Sequence, residues 1–92
     1  MIYGYARAAH PWDLTVEVVS LRRSGCDEVF HDAYTEDDPR EDWAHLIERV
    51  QPGDTIRFVE FDRVARDPDE AGFILDGLTE LGVHSEFLVG RY

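Results

Sequence analysis

Ile2, Tyr3, Tyr5 and Ala6 form an almost uninterrupted apolar run at the start of the chain, and this run limits the architecture more than any other segment. A strand with one solvated face alternates apolar and polar residues. A continuous run belongs to a strand covered on both faces, as in a parallel sheet. Arg7 stops the run at its carboxyl end. A parallel sheet needs crossover helices, and the rest of the chain supplies their signals. Pro11 suits the first turn of a helix in which Leu14, Val18 and Leu21 recur at helical spacing, with Gly25 as a natural stop. Val29 and Phe30 lead a short second strand ending near Asp32, followed by the acidic loop Tyr34 to Asp38. Asp38-Pro39-Arg40-Glu41 reads as a helix start, with Asp as the cap, Pro at the first helical position and Glu reaching back. Trp43, Leu46, Ile47 and Val50 then give that helix an amphipathic face.

Pro52-Gly53 turns the chain into Thr55 to Phe61, the strongest strand, rich in β-branched and aromatic residues. Asp67-Pro68-Asp69-Glu70 repeats the helix-start pattern, and Ile74, Leu75, Leu78 and Leu81 form the apolar face of a third helix. Gly82 closes it, and Val83 to Val89 returns as a fourth strand. The alternation predicts an α/β domain with right-handed crossovers, a mostly parallel sheet of about four strands, and three helices. No linker, repeat or low-complexity segment divides the chain, so residues 1–92 are expected to form a single domain.

Charge narrows the range of partners. Twenty acidic residues against nine basic ones give a net charge of −11, which opposes general attraction to nucleic acid or to an anionic membrane. All nine basic residues are Arg. Cys26 is the only cysteine, which excludes an intrachain disulfide; beside Gly25 it reads as a small buried apolar residue. There is no apolar run of about 18 residues and no signal-peptide layout, and the expectation is a cytoplasmic protein.

The ligand crevice of a parallel sheet lies beyond the carboxyl ends of its strands. Arg7 follows strand one, Asp32 ends strand two, and Asp62, Arg63 and Arg66 follow strand three, so the topology brings all five to one edge. Arg40, at the start of the second helix, is placed near the same edge. Guanidinium groups around one crevice suit a phosphate, because each presents a planar fork of donors and a permanent charge. Asp32 and Asp62 are expected to orient them. The run Glu36, Asp37, Asp38 reads as a solvated acidic loop. His31, His45 and His84 are scattered without ligand spacing, and no metal or cofactor is expected.

Several of these segments resemble the catalytic domain of the serine recombinases, the resolvases and DNA invertases. Tyr5-Ala6-Arg7 is similar to the opening of the family's Y-x-R-V-S motif. Phe61-Asp62-Arg63-Val64-Ala65-Arg66-Asp67 is similar to its L-D-R-L-x-R-[DS] motif, whose arginines bind the scissile phosphate. Ser24-Gly25-Cys26-Asp27-Glu28-Val29-Phe30 resembles A-G-C-x-x-[IV]-[FY], and Pro52-Gly53-Asp54-Thr55 and Gly82-Val83 match the family's turns. Arg40 resembles a further active-site arginine, and Asp32 the acidic residue after strand two. The resemblance implies a three-layer α/β/α domain with a phosphate site at Arg7, Arg40, Arg63 and Arg66.

The departures are as informative. The family's nucleophilic serine falls two residues after the arginine, where this chain has Ala9 preceded by Ala8, and a methyl group is no nucleophile. The glutamines usual after the serine are absent, with Asp13 and Glu17 in that region. The chain stops at Tyr92, short of the family's long dimerisation helix and DNA-binding module. These features imply a catalytically inactive domain that works through a protein partner or self-association, with DNA binding weak or absent. Two alternatives stay open. One is a phosphate- or nucleotide-binding enzyme that uses the arginine crevice with water or His10 in place of serine. The other is an acidic regulator that imitates DNA through Glu36 to Asp38, Glu41 and Asp42.

Overall fold

The computed structural model describes residues 1–33, 39–65 and 67–89. Its elements run β1 (Ile2–Ala8), α1 (Pro11–Arg23), β2 (Glu28–Ala33), α2 (Glu41–Arg49), β3 (Thr55–Phe58), a 3-10 turn (Phe61–Arg63), α3 (Pro68–Glu80) and β4 (His84–Phe87). The four strands form one sheet in the order β2-β1-β3-β4, parallel throughout. The apolar opening run is accordingly an inner strand, and six of its seven residues are buried. Arg7 does not stop this strand as the sequence suggested. Pairing with β2 continues through Arg7↔Asp32 and Ala8↔Ala33.

Alternation along β1 divides the interior into two layers. Tyr3 and Tyr5 point to the side where Leu46 of α2 and Ala71 and Leu78 of α3 complete the main core with Phe30, Ile56, Phe58 and Val64. Gly4, Ala6 and Ala8 face α1, whose Leu21 is fully buried. A side chain at Gly4 would come within 3.0 Å of Cys26 Sγ and 3.2 Å of Leu21 Cβ, so the bare backbone there lets α1 lie close to the sheet. The result is the three-layer α/β/α arrangement, with α1 on one face and α2 and α3 on the other.

Three details differ from the sequence pattern. Strand β3 ends at Phe58 rather than Phe61, because the chain turns into the 3-10 segment there. Leu81 is 51% exposed: it caps α3 instead of joining its apolar face, while Ala71 takes a core position. Cys26 is half-buried rather than a core residue, and burial still pushes its thiol pKa up, away from reactivity. The local punctuation holds at α1 and α3. Pro11 and Pro68 open their helices, Asp67 caps α3 by accepting the Asp69 N–H at 2.9 Å, and Gly25 and Gly82 end helices at positive φ.

The strand order reverses direction after β2, so the switch point lies between β1 and β3. The early end of β3 matters there. Tyr5↔Phe58 is the last pair between them, and Ala6, Arg7 and Ala8 run on paired to β2 alone, past the end of β3. The carboxyl edge at this switch point is the position at which open parallel sheets bind their ligands.

Candidate functional site

The charged residues of the carboxyl edge fall into two groups, one on each face of the sheet. The first centres on Tyr5 and Asp32. Asp32 is buried, and its carboxylate accepts the Tyr5 hydroxyl at 2.6 Å and the backbone N–H groups of Asp42 and Trp43 at 3.0 Å each. The last two are unsatisfied donors of the first turn of α2, so Asp32 caps that helix from a neighbouring strand. The capping expected from Asp38 lies outside the described residues, and Pro39 precedes the helix instead of occupying its first position. Burial, followed by the bond to Asp32, pushes the Tyr5 phenol pKa well above its ordinary value, so it remains a neutral donor.

Arg40 sits at the entry of α2 with φ 54° and ψ 50°, the left-handed region that a non-glycine residue seldom occupies. Side-chain contacts hold it there. Its Nε donates to the Tyr5 hydroxyl at 3.3 Å and an Nη to the Val64 carbonyl at 3.1 Å. Its Cζ lies 5.4 Å from the Tyr5 ring centre and 5.1 Å from that of Trp43, within cation–π range. Arg7 is 6% exposed, and its Nε approaches the Ala33 carbonyl at 3.4 Å. Arg7, Arg40 and Asp32 are thus brought together around the end of β2, and Asp32 reaches Arg40 through their shared partner Tyr5.

The second group lies toward α1. Arg63 donates from Nε to Glu17 Oε2 at 2.9 Å, and its Nη2 stands 3.4 Å from Glu60 Oε1. Glu17 is 6% exposed, and its Oε1 is buried without a hydrogen-bond partner. Burial pushes its pKa up, against the opposing influence of Arg63 and the Arg7 backbone N–H. Glu17 is the site residue that the sequence left without a role, although a signal was present. It falls between Leu14, Val18 and Leu21 on the inward face of α1, where a carboxylate needs a partner.

Asp62 is exposed and contributes to neither group. Arg66 and the loop residues Glu36, Asp37 and Asp38 lie outside the described residues. Ala8 is buried in β1, and Ala9 is exposed on the short link to α1, at the carboxyl edge of the sheet. His10 is the N-cap of α1, its Nδ1 accepting the Trp12 N–H at 3.2 Å. Among the described residues no group of three His, Cys, Asp or Glu side chains is arranged to hold a metal ion, and no helix is long and apolar enough to cross a membrane.

No family model matches the chain. In sequence it is 26% identical over 90 residues to Protein uvp1 of Escherichia coli, an alignment covering 90% of this chain and 46% of that protein. The chain therefore spans less than half the length of this curated relative. In structure it is similar to the C-terminal catalytic domain of ISC1926 TnpA, an IS607-like serine recombinase, with a TM-score of 0.75 at 18% identity over 98% of this chain and 68% of that one. It is similar also to the first open reading frame of transposon ISC1904 from Sulfolobus solfataricus P2, with a TM-score of 0.76 at 16% identity over 99% and 69% of the two chains. Its fold is that of a serine-recombinase catalytic domain.

Proposed function

We propose that this chain is a catalytically inactive serine-recombinase-like domain that acts through protein contacts and keeps a relict arginine-lined phosphate site. The observation that carries this is the link at the carboxyl end of β1. The link between β1 and α1 offers Ala9, and the neighbouring imidazole of His10 uses Nδ1 to cap a helix. The described arginines support the same view: Arg40 is held by Tyr5 and Val64, and Arg63 by Glu17 and Glu60. Charge-assisted pairs of this kind compete with an incoming phosphate.

Helix α1 supports the protein-contact role, because it carries apolar residues on both faces. Leu14, Val18 and Leu21 turn inward, while Trp12, Val16 and Val19 are 70%, 50% and 41% exposed at helical spacing. An exposed aromatic with aliphatic neighbours is typical of a protein-binding patch.

The test combines two measurements on a short DNA duplex: fluorescence anisotropy through a salt series, and a denaturing gel for covalent protein–DNA adducts. The expected result is weak anisotropy change even at low salt, and no adduct. The Ala9→Ser variant is expected to form no recombinant product. A covalent adduct with the unaltered protein, or tight binding that falls steeply with salt, refutes the proposal.

A further inference from the structure

We infer that Glu17 is a built-in counter-anion: its carboxylate occupies the donor edge of Arg63 and thereby sets the crevice against oxyanions, so that the charge at this one position decides whether the site accepts phosphate. This rests on the reading of the crevice as a former phosphate site, and adds the residue that keeps it closed.

The geometry is that of an anion site already filled from within. Arg63 is the partly exposed member, with a third of its side chain accessible, whereas the side chain of Glu17 is 8% exposed. A carboxylate is planar and anionic, and it takes the guanidinium N–H as a phosphate oxygen would. It is also poorly supplied for its burial. An ionised carboxylate has about four acceptor positions, yet Oε1 is enclosed with no partner. Glu60 brings a second negative charge to the same guanidinium, so one cation faces two carboxylates. A further anion arriving here meets net repulsion at short range, screened in part by water because Arg63 and Glu60 are 33% and 38% exposed.

An amide at position 17 changes the sign of this balance without changing its shape. The amide oxygen still accepts the Nε–H of Arg63. Its NH2 group takes the place of the enclosed Oε1, so the change acts on an incoming oxyanion through charge and not through a new contact. One negative charge is removed within hydrogen-bonding distance of Arg63, the only cation of this group among the described residues.

Isothermal titration calorimetry with inorganic pyrophosphate at low ionic strength tests the inference. Wild type, Glu17→Gln, and Glu17→Gln combined with Arg63→Gln are compared, with circular dichroism confirming that each is folded. The expected result is that Glu17→Gln binds at least about tenfold tighter than wild type, and that adding Arg63→Gln abolishes the gain. A folded Glu17→Gln that binds no tighter overturns the inference, as does a gain that survives loss of Arg63. A measurement on the unaltered protein guards against a variant that does not fold: the Arg63 Nε–H resonance is expected to stay unmoved by millimolar pyrophosphate, and a saturable shift overturns the inference. The ratio of variant to wild-type affinity judges Glu17, whereas DNA cleavage or adduct formation judges the parent proposal, so the two fail separately.

Discussion

Replacing Asp32 by Ala is the sharpest probe of how this sheet edge is built. The carboxylate accepts three hydrogen bonds, from the Tyr5 hydroxyl at 2.6 Å and from the Asp42 and Trp43 N–H groups at 3.0 Å. Losing a helix cap costs about 1 kcal/mol. Tyr5 is fully buried, and a buried hydroxyl deprived of its acceptor costs about 1–3 kcal/mol. The sum is roughly 2–4 kcal/mol, a large share of the roughly 5–15 kcal/mol that holds a small domain together. For a domain of this size the corresponding fall in Tm is on the order of 10–25 °C. Urea denaturation followed by circular dichroism and Trp43 fluorescence measures it. Tyr5→Phe removes the hydroxyl from the other side, so the two substitutions share one interaction, and the double variant is expected to fall short of additivity by about 1–2 kcal/mol. A cost below about 1 kcal/mol for Asp32→Ala, or strict additivity with Tyr5→Phe, refutes the reasoning.

Further predictions concern packing, capping and charge. Gly4→Ala is expected to cost about 1–3 kcal/mol by overpacking, since its new methyl meets Cys26 Sγ at 3.0 Å and Leu21 Cβ and Val29 Cγ2 at 3.2 Å; an unchanged urea midpoint contradicts this. Asp67→Ala is expected to cost about 1 kcal/mol through the lost cap on the Asp69 N–H, with faster hydrogen exchange confined to the start of α3; unchanged exchange there counts against it. Burial, opposed by Arg63 and the Arg7 backbone N–H and aided by Glu60, raises the pKa of Glu17 above its ordinary 4.5. The folded state thus binds this proton more firmly than the unfolded one, and the stability Glu17 contributes is full below pH 4.5 and declines as pH rises through the folded value. Wild type should therefore lose more stability than Glu17→Gln as pH rises from 4.5 toward neutrality; parallel urea midpoints across that range contradict the assignment.

Much of the fold was legible because its signals are local. Proline after a capping residue marks the starts of α1 and α3, positive-φ glycines mark their ends, and the unbroken apolar run of β1 reports an inner strand. The topology then brought Arg7, Arg40, Arg63 and Asp32 to one edge, as the strand order required. What escaped was long-range. The start of α2 is capped by Asp32, about ten positions earlier and in another element, which no local pattern encodes. Likewise the Arg63–Glu17 pair joins residues 46 positions apart; the inward placement of Glu17 was visible, but its partner was not.

The cross-element cap on α2 also bears on the order in which this chain acquires structure. A short helix is costly to nucleate by itself, and α2 has nine residues, with a strained left-handed arginine at its entry. Its first-turn donors find their acceptor only after Asp32 is in place, and Asp32 is oriented by a tyrosine of the neighbouring strand. Helix α2 is therefore a dependent element: β1 and β2 must pair before it can settle. Its opening and closing are tied to the sheet, so the face carrying Arg40 exists only as part of one cooperative unit with the two strands beneath it.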